Sequence, residues 1–556
     1  MSTKEKAARR GSKAGIVIIL LCLAGLIALG VSLWRQQLPP PEPETAVGYA
    51  ASAEETVPVY DGEGAVLGSL VRGTEVHFVQ EDMDGEGTLV RVVNGGEYVY
   101  LEKQHLALRY EDAVQVDTVY ARRGISLLDA AGTAPGCAVE KGMALTVTGF
   151  DGLDDSGAVL RWRVSCPRGE GYIDAANARM TEAEALAHYD EELYALHASR
   201  GDSWGGGDAA GLDYEPVEKG PIAGNEMPDE VRALYLNGSA IQYADSYLQA
   251  AAGSGVNAFV VDIVDGTAVS YASPVMQQYS PSAYAAAMDT REGFQANLQK
   301  LKDAGYYLIG RITVFNDAHL AADHPEYVIS DLSGTPLKIS SMYWPSAYNR
   351  TVWQYKVELA LEAAALGFNE IQFDYIRFPD GAYDYEKAGT IDYRNTYGES
   401  KAQAVQRFLL YAAERLHSAG YYLSGDVFGE CANPYVTACG QYWPAISAAV
   451  DAISGMPYPD HYSARGDYKP WEHPYDTVRM FGAAAAERQR ETASPAAVRT
   501  WIQAYNAIRE PYNTYGAEEV AAEVRALRDT GCTGGFMTWN GGSDIGKYRS
   551  ILSALQ

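Results

Sequence analysis

Hydrophobic and polar positions follow three regimes along this chain. Residues 14–34 are apolar almost without a break, about the length needed to cross a bilayer. Between 56 and 177 the apolar residues fall in short alternating runs (57–60, 76–80, 89–93 and 98–101, then 125–128, 145–150, 159–164 and 171–173). Glycine-bearing turns separate these runs, which predicts two small all-β units built on one plan. Residues 181–198 read as a helix and 199–229 as a linker around Gly205-Gly206-Gly207. From 231 onward, strand-like runs (233–236, 258–263, 307–314, 370–375, 422–427, 451–456, 500–505 and 535–539) alternate with helix-period stretches such as 293–304, 352–366, 402–418, 475–488 and 517–529. Eight strand–helix units of this kind predict the α/β class and a closed (β/α)8 barrel of the TIM type. An open doubly wound sheet is the alternative, but no glycine-rich phosphate loop follows the first strand.

The expected organisation is therefore a basic tail (1–13), a transmembrane anchor (14–34), a proline-rich linker (35–55), β-barrel modules at 56–110 and 117–180, a helix and glycine-rich linker (181–229), and the barrel (230–556). Lys4, Lys6, Arg9, Arg10 and Lys13 precede the apolar run against the single acid Glu5, which predicts a cytoplasmic N-terminus. The rest of the chain is then expected outside a cell membrane that it crosses once. A cleaved signal peptide is the rival, but the small-x-small pattern Ala51-Ser52-Ala53 lies far beyond the run, favouring an uncleaved anchor. Outside the cell disulfides are permitted, and Cys137–Cys166 and Cys431–Cys439 are the expected pairs, leaving Cys532 free. A net charge of −28, from 44 basic and 72 acidic residues, argues against a nucleic-acid partner. Tyrosine outnumbers phenylalanine 40 to 12, which suits polar, aromatic-lined grooves.

Candidate chemistry collects where the predicted barrel strands end. The stretch NEIQFDYIRFPD (369–380) runs from a short apolar strand into Asp374 and Arg377, either a salt bridge closing the strand or part of a site. Other strand ends carry Asp262 and Asp265, Arg311 with Asn316 and Asp317, Asp426 and Glu430, Tyr458 and His461, Gln503 and Tyr505, and Trp539 with Asn540. Asp317, His319, Asp323 and His324 crowd together without zinc-ligand spacing, so neither a metal nor another cofactor is expected. Carboxylates with flat aromatics are what glycosidic cleavage requires: one acid protonates the leaving oxygen, and another meets the oxocarbenium-like carbon.

The segments GFNEIQFDYIRFP, SGDVFGE, MPYPDHY, TWIQAY and FMTWN, with 256–271 and RITVFNDAHLAADHPEY, resemble the bacterial putative glycosyl hydrolase domain family, formerly grouped under unknown function. The resemblance covers the chain from about 230 onward. It implies a glycoside-hydrolase-type barrel with Asp374 as nucleophile and Asp426 as acid/base, Glu430 being the substitute. Asp262, Arg311, Asp317, His461, Gln503 and Trp539 become substrate-contact residues by the same motifs, and Arg377, Tyr458 and Asn540 join them as strand-end neighbours. Val264, Asp460 and Ala504 depart from the family pattern, where a lysine, a serine and an acid are usual. The two β-units resemble a tandem of bacterial Src-homology-3-like domains, which implies envelope peptides or glycans such as peptidoglycan as partners; spacers or intramolecular docking modules are the alternative. The expected function is that of a membrane-anchored, extracytoplasmic glycoside hydrolase acting on a cell-envelope or extracellular polysaccharide. A non-catalytic glycan-binding or envelope scaffold protein is the alternative.

Overall fold

The computed structural model of the chain describes residues 43–94 and 96–556. The apolar run 14–34, read above as an anchor, lies outside the described residues. Among the residues described, no helix is long and apolar enough to cross a membrane. The chain divides into two compact units, one reaching to residue 116 and including 152–159, the other made of 117–151 and 160–556.

In the first unit a seven-stranded antiparallel sheet runs in the spatial order Val66–Val71, Thr56–Tyr60, Glu97–Glu102, Leu89–Asn94, Glu75–Val79, Thr45–Ala50 and Leu106–Ala107. Its core takes every second residue, with Val57, Val59, Val76, Phe78, Val90 and Val92 buried, as period-two alternation dictates. The linker expected over 35–55 ends early, because Thr45–Ala50 is a full strand paired with Glu75–Val79. Strand Val66–Val71 buries none of its residues, so its sequence carries no core signal.

The second module repeats this sheet strand for strand: Pro135–Val139, Ile125–Leu128, Gly169–Asp174, Val159–Cys166, Ala144–Leu153, Thr118–Ala121 and Ala178–Arg179. In both modules a single 3-10 turn, Lys103–His105 or Ala175–Asn177, precedes the last short strand. This module is docked on two barrel helices, Arg350–Ala364 and Lys401–Ser418. Arg350 Nε donates to Ser126 Oγ at 3.0 Å, Arg407 pairs with Glu140, and Tyr411 and Arg415 donate to the carbonyls of Thr133 and Gly132. The single helix expected over 181–198 is two, Glu182–Leu186 and Glu191–Ala198. Asp190 caps the second by accepting from the amides of Glu192 and Leu193.

The eight parallel barrel strands are β1 (Val231–Leu236), β2 (Ala258–Asp265), β3 (Tyr307–Thr313), β4 (Glu370–Asp374), β5 (Tyr422–Phe428), β6 (Ala452–Met456), β7 (Ala497–Val498 and Thr500–Gln503) and β8 (Gly535–Trp539). Each pairs with the next from β1 through β6, and β8 pairs with β1. Strand β7 closes the ring in two halves, its first pairing with β6 and its second with β8, with Arg499 between them. One face of the strands, with the covering helices, builds the main core around Phe259, Ile263, Leu308, Ile371, Phe373 and Leu423. The opposite face fills the barrel interior with Ala233, Val260, Ile309, Trp501 and Met537, so the barrel is packed solid.

No disulfide forms among the described cysteines. Cys137 and Cys166 are neighbours that remain thiols, and burial together with Cys166 pushes Cys137 up to about 11. Cys431 and Cys439 are both buried, and the Cys439 sulfur lies 3.2 Å from the Thr437 hydroxyl instead of bridging.

Candidate active site

At the C-terminal end of the barrel one guanidinium organises four acids. Arg311, on β3, is almost fully buried. It places Nη1 2.8 Å from Asp262 and 3.3 Å from Asp265, and Nη2 2.6 Å from Asp374. Its Nε lies 3.8 Å from Asp426 Oδ2, too long for a hydrogen bond, so both atoms are left without one. The strands supply these groups by register, since Asp262 pairs with Arg311 and Thr313 with Asp374. Asp265 stands three residues after Asp262 and would face away from it in a regular strand. A register shift between Asp262 and Val264 inserts one extra residue and returns Asp265 to the same side.

Asp374 ends β4 and accepts from the amide of Tyr375 at 2.6 Å. Tyr375 has a φ of +54°, a left-handed turn unusual for a bulky residue, which swings the chain out of the strand immediately after the carboxylate. Asp374 opens into a cleft of about 630 Å³ shared with Asp265, Arg377, Asp380, Glu430 and His461. The aromatic walls are Tyr375, Phe428, Tyr458, Tyr462, Trp501 and Trp539. Trp539 packs 4.6 Å from Tyr235 and 5.5 Å from Trp501, and Arg311 lies over its ring at 5.3 Å. Burial holds His461 below its usual value, so its ring is neutral at pH 7.

The residues singled out in the sequence separate into two groups. Asp374, Glu430, Arg311, Arg377, Tyr458, His461 and Trp539 line one cleft. Asp262 sits beneath it, accepting from Tyr235 and Arg311. Burial pushes its carboxyl up to about 7, against the opposing pull of Arg311. Asp426, expected as acid/base, is fully sealed and does not line the cleft; Trp501 Nε1 donates to it at 2.8 Å. Burial, with the Asp374 charge beside it, pushes Asp426 well above the ordinary carboxylate range, where it packs under the floor. Glu430, the expected substitute, lies at the surface, exposed to solvent and accepting from Tyr435 at 3.1 Å.

Three residues expected as substrate contacts do not line the cleft and bond elsewhere. Asp317 is buried, caps helix Ala318–Asp323 through Leu320 and pairs with the buried Lys356 at 2.7 Å. Gln503 turns its amide onto Tyr505 O and the Asp460 amide, and Asn540 braces its own loop by donating to Asp544 O. The Asp374–Arg377 bridge is also absent. Arg377 reaches Asp380 at 3.3 Å and stacks 4.2 Å over Phe428. Tyr235, Asp380, Phe428, Tyr462 and Trp501 also belong to this constellation, and strand-end polarity does not mark them. For Trp501, the signal is its inward-facing place in the strand that leads to Gln503 and Tyr505. Among the described residues no group of His, Cys, Asp and Glu is placed to hold a metal ion.

Residues 233–544, more than half of the chain, match the family described as "Putative glycosyl hydrolase domain". No curated protein matches. Among solved structures, a hypothetical protein from Ruminiclostridium thermocellum is similar at 32% identity, over 35% of this chain and 97% of its own, with a TM-score of 0.30. The glycoside hydrolase domain of PgaB (BpsB) from Bordetella bronchiseptica is similar at 14% identity, over 58% and 99%, with a TM-score of 0.40. The alpha-galactosidase TtGalA from Thermus thermophilus follows at 13% identity, over 87% and 92%, with a TM-score of 0.37.

Proposed function

The chain belongs to this putative glycosyl hydrolase family, and from that premise we propose that it hydrolyses a glycosidic bond in the cleft above Arg311. One observation carries the reading: Asp374 and Glu430 line the same aromatic-walled cleft at the C-terminal ends of adjacent strands. Glu430, exposed at the rim of the cleft, delivers a proton to the leaving glycosidic oxygen. Asp374, held by Arg311 and the Tyr375 amide, presents negative charge to the anomeric carbon as the C–O bond breaks. Water supplies the replacement oxygen and gives up one proton, which restores the acid spent on the leaving group. Trp539 and Tyr458 offer flat faces for the apolar side of a pyranose ring.

The substrate in this proposal is an envelope or extracellular polysaccharide. The basic tail and apolar run at 14–34 support a membrane anchor with the barrel outside, and an envelope glycan is the proposed ligand of the first β-module. The second module braces the barrel through Arg350, Arg407 and Tyr411. The test is the full chain in detergent, incubated with envelope and plant polysaccharides while reducing ends are counted, beside Asp374→Asn. New reducing ends from the parent but not the variant support hydrolysis at this site. Retention of glycan without cleavage anywhere in the panel supports the glycan-binding alternative.

A further inference from the structure

The segment before the barrel carries a tryptophan that neither the fold nor the cleft uses. Trp204 is 68% exposed and is the exposed tryptophan among the described residues, the others being buried or partly buried. It has a φ of +62°, a left-handed conformation that bulky residues rarely adopt. The loop holding it is stitched down on both sides. The Ser203 amide donates to Val436 O at 2.8 Å, the Val436 amide to Gly201 O at 3.2 Å, and the Ala402 amide to Gly206 O at 3.1 Å. Asp202 Oδ2 accepts from the amides of Gly205 and Gly207 at 3.0 and 3.2 Å. A Cβ on Gly206 would run into the Thr437 carbonyl, and one on Gly207 into Ser400, so only glycine fits at either position. A large apolar ring is thus fixed in an unfavourable backbone state and shown to water.

What it faces lies beside the cleft. Trp204 meets Tyr383 edge-to-face at 5.2 Å, and the two flank a groove of about 370 Å³ with Pro379, Asp380, Glu386 and Lys401. Asp380 lines this groove and the cleft of Asp374 alike, so the two adjoin at one side chain. The platform also joins the catalytic loops by backbone: the Phe378 amide donates to Cys439 O at 2.9 Å, in the loop whose Val436 holds Trp204.

We infer that Trp204 and Tyr383 form an outlying sugar subsite, so the substrate is a glycan chain long enough to span from the Asp374 cleft to the Trp204 groove. This rests on the glycoside hydrolase reading above. The pyranose ring has an apolar C–H face that stacks on an indole, and hydroxyls at its rim that Asp380, Glu386 and Lys401 can pair. A ring already fixed in place loses little freedom on binding. Trp204 lies outside the matched family segment and Tyr383 inside it, so the linker and the barrel each supply one ring of this subsite.

The test separates the subsite from the chemistry. Full-length Asp374→Asn protein, unable to turn substrate over, is run in detergent gels cast with a β-1,4-glucan, a β-1,3-glucan, an α-1,4-glucan, a chitosan and an arabinogalactan. At least one polysaccharide retards it, and adding Trp204→Ala weakens that retention about tenfold, while Trp204→Tyr restores most of it. Equal retention with and without Trp204→Ala, or retention by no polysaccharide, overturns the subsite. On the otherwise unaltered enzyme, Trp204→Ala raises KM for the polymer and leaves cleavage of a short aryl glycoside unchanged. Polymer retention that needs Trp204 in a parent that cleaves nothing keeps the subsite and removes only hydrolysis.

Discussion

The barrel interior buries two arginines and treats them in opposite ways. Near the N-terminal end Arg499 faces one carboxylate, Glu370, at 2.6 Å, and both are fully buried. Tyr307 and Ser424 hydrogen-bond the same carboxylate, so charge is matched one to one, with Arg499 Nε the atom left without a partner. Near the C-terminal end Arg311 faces Asp262, Asp265, Asp374 and Asp426, one cation among four acids beside an open cleft. A matched buried pair serves the fold. An excess of carboxyls around one cation can be relieved only by holding protons, and Asp262 and Asp426 are the groups pushed up to do so. The same strands therefore build a tie at one end and a reactive site at the other.

The largest effect should come from the upper cluster. Asp374→Asn lowers turnover by about a thousandfold or more, ~4 kcal/mol of transition-state stabilisation, with thermal unfolding little changed. Arg499→Met should do the reverse. It leaves Glu370 buried without a cation, costs ~3–5 kcal/mol in denaturant unfolding, and leaves activity per folded molecule at the parent level. Replacing both partners by methionine recovers most of that stability. If Arg499→Met lowers kcat while stability holds, the two clusters do not differ as described.

The next test sharpens the upper cluster itself. Glu430→Gln slows cleavage of substrates with poor leaving groups by about a hundredfold or more, and activated aryl glycosides far less. Asp426→Asn, beneath the floor, changes turnover by less than about tenfold. The opposite ranking returns the acid/base role to Asp426.

Smallest is a pH effect confined to Asp262. With its carboxyl pushed up to about 7, the folded protein keeps a proton that the unfolded chain has released. Stability from this group therefore falls as pH rises from about 4 to about 7, and is level above. Asp262→Asn removes that slope, narrowing the difference in unfolding free energy between about pH 5 and 7.5 by ~2 kcal/mol. An unchanged slope places the proton elsewhere.

Much of this arrangement is legible in the sequence, because inward-facing residues of parallel strands surface together at one end. Asp374, Arg311, Tyr458 and Trp539 follow from that alone. Three details escape the pattern for local reasons. Arg377 stands three residues after Asp374, but the left-handed turn at Tyr375 separates them, and the partner comes from the neighbouring strand. Asp265 reaches the site only through an irregularity in β2 that periodicity cannot show. Asp317, Gln503 and Asn540 are strand-end polar groups spent on a helix cap, a neighbouring loop and their own turn. The repeated β-modules show in alternating burial, whereas the solvent-exposed strand Val66–Val71 leaves no such trace.

Closure of the ring has a consequence for how the molecule is made. Strand β1 begins at Val231, yet one of its two neighbours is β8, where Val231 pairs with Gly535 and Leu234 with Thr538. During synthesis, then, β1 waits with an open hydrogen-bonding edge while some 300 residues follow it. The second half of β7 waits too, since its partner is also β8. Both edges are sealed in a single late event, when the last strand slots between them. Until that moment the growing barrel is an open sheet with two sticky margins, a period in which pairing with another chain competes with completion.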